Sequence, residues 1–118
     1  MEKEFVVKGG EEKVTLAGGM VRSSSAGKTD YSLALDGVML GRLAEHLTKA
    51  TRPPNNYPKR NWLLAGTGSE EDRGRTLERY RESAVRHFLQ WWRGDEDEDH
   101  AAAVFFNING YESLKATP

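Results

Sequence analysis

Apolar positions along the chain fall into three helical stripes and one weak alternation. Met39, Leu40, Leu43, Ala44, Leu47 and Ala50 recur at three- and four-residue spacing, with Arg42, Glu45, His46 and Lys49 between them. That period predicts a helix near 37–50, opened by Asp36 as its N-cap and closed before Pro53-Pro54-Asn55-Asn56. Leu77, Tyr80, Ala84, Phe88 and Trp91 mark the core stripe of a long helix over 70–93. Ser69 with Asp72 three residues on is its start signal, and Gly94 its stop. Beyond the acidic run Asp95–Asp99, the apolar residues from Ala101 to Ile108 point nearly all round, so a helix over 96–114 should be buried on several sides. Glu4–Lys8 and Lys13–Leu16 alternate weakly around Gly9-Gly10 and suggest a short hairpin. The expectation is an all-α core of three long helices: an irregular arm over 1–17, then one domain over 18–118.

The polar residues inside these patterns carry the candidate chemistry. At about 100° per residue, Glu96, His100 and Asn107 fall within roughly 40° of one another, flanked by Asp99. A carboxylate, an imidazole and an amide on one buried stripe could hold a divalent cation or a polar ligand. The same residues could equally be an acidic helix start followed by satisfied core His and Asn side chains. On the preceding helix, Arg79, Ser83, Arg86, His87 and Gln90 form a polar stripe beside Glu78 and Glu82. Lys59, Arg60, Asn61 and Trp62 set two cations and an amide beside a large aromatic ring, which suits a nucleotide's phosphates and base, or simply a packed Trp under a basic turn. Arg22 and Lys28 are candidate anion contacts in a glycine- and serine-rich stretch. Gly27-Lys28 lacks the rest of a phosphate-binding loop motif.

Composition narrows the classes. The 118 residues suit one domain, and 37% hydrophobic against 30% charged implies a modest core that oligomerisation would help. A net charge of −1 argues against nucleic acid and anionic membrane as partners. With no cysteine, disulfides and thiolate chemistry are excluded. Glu2, Lys3 and Glu4 interrupt any apolar opening, and no apolar run nears the ~20 residues of a membrane span. A cytoplasmic protein is expected.

Met39-Leu40-x-Arg42-Leu43-Ala44, Asn61-Trp62, Arg79-x-x-x-Ser83-x-x-Arg86-His87-x-x-x-Trp91, Gly94-x-Glu96-x-Glu98-Asp99-His100-Ala101-Ala102 and Phe106-Asn107 together resemble a phage-encoded family, the dATP/dGTP diphosphohydrolases. These are related to the MazG-like all-α nucleoside triphosphate pyrophosphohydrolases. The resemblance covers roughly 18–112. It implies an oligomeric antiparallel helical bundle, a homodimer or homotetramer in the host cytoplasm, that uses Mg²⁺ or Mn²⁺ to cleave a deoxynucleoside triphosphate between the α and β phosphates. The superfamily's ExxD metal motif is matched by Glu96-x-x-Asp99, and its ExxE only loosely by Glu78 and Glu82. On that basis Glu82, Glu96 and Asp99 would hold metal, Glu98 would be a further ligand or the base that orients water, and His100 would orient these groups or touch the substrate. Arg22, Lys28, Lys59, Arg79, Arg86 and His87 would face phosphates, while Asn61, Trp62 and Asn107 would contact the nucleotide. Ser23 and Ser32 stand where the resemblance implies carboxylates. That leaves a second expectation, a nucleotide-binding or sequestering protein that does not cleave. A purely structural helical oligomer is a third, disfavoured because an unused interior Asn and His would be costly.

Overall fold

A computed structural model describes residues 4–8 and 12–118. The chain is mostly helical. Its contacts divide it into two units, Met1–Leu33 and Ala34–Pro118.

In the first unit, β1 (Lys13–Thr15) pairs antiparallel with β2 (Val21–Ser23), Lys13 opposite Ser23. The expected partner of β1 was Glu4–Lys8. That segment forms no strand, and Phe5, Val6 and Val7 are exposed. The chain instead reverses later, through Gly18 and Gly19, both at positive φ. The expected Gly9-Gly10 turn lies outside the described residues.

The second unit holds three helices, α1 (Met39–Ala50), α2 (Glu70–Arg93) and α3 (His100–Ala116), with a 3-10 turn over Asn61–Thr67. Both α1 and α2 pack on α3, which takes the central position. Its enclosed residues, His100, Ala103, Asn107, Gly110 and Leu114, run down one stripe at alternating three- and four-residue steps. Small residues there let α2 approach closely. A Cβ on Gly110 would lie 2.6 Å from the Tyr80 ring, so glycine is what admits that ring. Tyr80, Trp62 and His46 surround Phe106, with ring centroids 5.7–6.4 Å away in tilted or edge-on arrangements.

Helix ends follow local chemistry. Ser69 Oγ accepts the Asp72 N–H at 3.2 Å, as its spacing predicts, and Gly94 closes α2 at φ 83°. Arg73 reaches across to the end of α3 and donates to the carbonyls of Leu114 (2.7 Å) and of its C-cap Thr117, adding to the Thr117 N–H bond that Leu114 already accepts. Two expectations are corrected. Val38, not Asp36, precedes α1, whose covered stripe is Met39, Arg42, Leu43, His46, Leu47 and Ala50 while Leu40 is 51% exposed. Arg42 and His46 turn inward because α3 offers them a carboxylate and an aromatic face. The last helix begins at His100 rather than 96, because Asp99 acts as its N-cap and the acids before it form a turn. Glu96 therefore shares no helical stripe with His100 and Asn107.

Candidate functional site

Asp99 anchors the turn between α2 and α3. Its Oδ1 accepts the Ala102 N–H at 3.0 Å, and both its oxygens take a forked bond from Arg42, at 2.8 and 2.5 Å. The guanidinium, helped by the cap, holds the Asp99 carboxyl down to about 2. Pinned in this way, the turn delivers His100, 2% exposed, to the top of the α2–α3 seam.

There His100 meets polar partners on both sides of its ring. Its Nε2 lies 2.7 Å from Asp97 Oδ1, and its Nδ1 lies 2.8 Å from His87 Nδ1. Asp97 can only accept, so Nε2 carries a hydrogen, and this bond holds the Asp97 carboxyl below the usual carboxylate range. Between the two Nδ1 atoms lies one shared proton, since two lone pairs or two N–H groups at that distance would repel. Burial pushes His87 below its ordinary value. The Glu98 carboxylate opposes that shift, while His100 and Arg86 add to it. About two turns further along, buried Asn107 donates its amide to Ala103 O at 2.8 Å. A cleft of about 460 Å³ opens over this turn, lined by Arg42, Trp91, Glu96, Glu98, Asp99 and His100. That volume falls in the range of small-ligand sites.

Two sets of three side chains bring potential ligand atoms within 4.8 Å of one another: His87, Glu98 and His100, and Asp95, Asp97 and His100. Glu82, Glu96 and Asp99 are not such a set among the described residues. Asp99 is engaged by Arg42 and the α3 cap, and Glu82 lies along a groove of about 650 Å³ formed by α2 alone.

The remaining expected residues are dispersed. Trp62 packs edge-on against Phe106, and its carbonyl faces the Tyr80 hydroxyl at 3.5 Å. Lys59 and Asn61 are exposed, as are Arg79 and Arg86, the latter beside Ser83 Oγ at 3.4 Å. Arg22 and Lys28 belong to the first unit. Sequence reasoning missed Arg42, Asp97 and Arg73 as polar anchors. For Arg42 a signal existed: a cation at the start of a helix whose apolar stripe ran beside it.

A buried polar seam capped by an acidic turn thus makes the α2–α3 junction the candidate site. Residues 19–111 match the family model described as dATP/dGTP diphosphohydrolase, N-terminal. The chain belongs to that family. No curated protein and no solved structure matches it. Among the described residues, no helix is long and apolar enough to cross a membrane.

Proposed function

We propose that this chain hydrolyses purine deoxynucleoside triphosphates, dATP and dGTP, to the monophosphate and pyrophosphate. One observation carries the reading: the family match spans the whole acidic turn and seam, where a cleft of nucleotide-handling size sits beside titratable groups. Phosphoanhydride cleavage asks mainly for charge neutralisation over the phosphates and an oriented water. Glu98, exposed at the cleft, is the group suited to hold that water, because its carboxylate is tied into no helix cap. Arg86 and Arg79 would meet phosphate charge, and Asn61 with Lys59 would extend the contact to the nucleotide. A divalent cation supplies the electrostatic stabilisation such reactions need. The chain's own part is to orient water, neutralise phosphate and position the imidazoles.

The working form would be a homodimer or a dimer of dimers. Val85 (60% exposed), Phe88, Leu89 and Trp92 line one face of α2 at helical spacing, which a second copy would cover. The test is incubation of the purified protein with each dNTP in Mg²⁺ or Mn²⁺, with the products separated. Monophosphate and pyrophosphate from dATP and dGTP are expected. Binding without turnover would instead support the sequestering reading that Ser23 and Ser32 suggested.

A further inference from the structure

We propose that His87, His100 and Glu98 bind one divalent transition-metal ion of the Zn²⁺ and Co²⁺ class, with Asp97 as the outer partner that orients His100. The two Nδ1 atoms already face one another at 2.8 Å. Two nitrogens bound to one tetrahedral ion at about 2.1 Å would stand about 3.4 Å apart. An ion can take the place of the shared proton once the two nitrogens part by about 0.6 Å and each ring turns so that its lone pair meets the ion instead of the other ring. A Glu98 carboxylate oxygen lies within 4.8 Å of both imidazoles and completes a two-histidine, one-carboxylate set with open positions.

The opposite edge of His100 supplies an independent sign. A metal-bound imidazole nearly always donates its other N–H to a carboxylate, which fixes the tautomer and raises ligand basicity. Here Nε2 donates to Asp97 at 2.7 Å. That bond also decides between the two ligand sets. The Asp95–Asp97–His100 set would need Nε2 as the ligand atom, and Nε2 is occupied as a donor. Asp99, tied to Arg42 and to α3, fixes the backbone between Glu98 and His100. Two nitrogens among three ligands favour a borderline metal over Mg²⁺, which prefers oxygen and keeps its waters. The site's use in catalysis rests on the phosphohydrolase reading; its existence does not.

The test uses the full chain, stripped of metal and free of nucleotide, titrated with Co²⁺ while visible absorption is followed, then with Zn²⁺ and Mg²⁺ by calorimetry. One Co²⁺ per chain should bind with d–d absorption, be displaced by Zn²⁺, and resist a tenfold excess of Mg²⁺. Asp97→Asn should weaken binding about 10–100-fold. Glu98→Gln and His87→Ala should weaken it more, and Glu96→Gln should leave it unchanged. Because His100 is enclosed and its loss threatens the fold, the exposed Glu98 and half-buried His87 carry the test. The proposal is overturned if Co²⁺ gives no d–d absorption, if Glu98→Gln and His87→Ala bind like wild type, or if Asp95→Asn abolishes binding while Glu98→Gln spares it. Cleavage is scored separately: metal bound as described without dNTP turnover would remove the hydrolase reading and leave this site standing.

Discussion

The two faces of α2 are inverted over its last three turns. The face against α3 carries Ser83, His87 and Gln90, while the face away from it carries Val85, Phe88, Leu89 and Trp92. In its first half the helix behaves conventionally, laying Leu77 and Tyr80 on α3. A fold seeking only stability would rotate the second half to bury the aromatic side chains, at roughly 25 cal/mol per Å² of apolar area. It does not, because His100 and Asp97 give the inward polar groups partners. Gln90 Oε1 is the enclosed side-chain acceptor left without one among the described residues. The apolar residues on the other face stay exposed in a single chain.

The largest effect should fall on the inner face at Glu98. Glu98→Gln should lower dNTP turnover by about 100-fold or more, whether the lost carboxylate orients water or holds the metal ion. Stability should move by less than about 0.5 kcal/mol, since the side chain is exposed. Single-turnover product analysis beside a melting curve reads both numbers. Unchanged turnover would sever the acidic turn from the chemistry.

Next comes the close approach of α2 and α3. Gly110→Ala places a methyl 2.6 Å from Tyr80, and the forced shift should cost about 1–3 kcal/mol despite alanine's better helix propensity. Urea denaturation measures it. Pairing the change with Tyr80→Leu should recover part of the loss, because the clash is with the ring. If Gly110→Ala stabilises the protein, the tight seam is not what holds the imidazoles together.

Asp99 comes third. Its carboxyl has a lower pKa in the folded chain than the ordinary 3.8. The stabilisation it provides is therefore complete above about pH 4 and lost as pH falls towards about 2. Asp99→Ala should cost about 1–2 kcal/mol at pH 7, chiefly from the lost N-cap with a partly exposed ion pair added. It should also flatten the fall in stability between pH 4 and pH 2, as followed by circular dichroism.

Much of the helical frame was legible because its signals are local. Ser69, Gly94 and the period of Leu77, Tyr80 and Ala84 each act within a turn or two. A buried Asn107 and His100 could also be foreseen, since the apolar residues that follow His100 point nearly all round the helix. What could not be read was which face of α2 turns inward beyond Ala84. Periodicity favours the face with Phe88 and Trp91, and only the arrival of His100 from the next helix reverses the choice. For the same reason Glu96 and Asp99 looked like neighbours of His100 on one helix. The cap that starts α3 depends on Arg42, 57 residues earlier in the chain. Long-range polar pairs leave no periodic trace.

The smallest effect on the fold of a single chain should come from the outer face, and this is what makes it diagnostic. Leu89 is 53% exposed and lies on the face of α2 turned away from α3. Leu89→Glu should change the stability of the isolated chain by no more than about 0.5 kcal/mol, as for surface substitutions generally. A charge buried without a partner between two copies is another matter, because its desolvation would go uncompensated. Wild type should therefore show a melting temperature that rises with protein concentration, and a mass by light scattering above that of one chain. Leu89→Glu should have the mass of one chain and a melting temperature independent of concentration. Wild type that is monomeric at micromolar concentration would mean the exposed stripe serves some other partner, and the inversion along α2 would then be explained by the inner face alone.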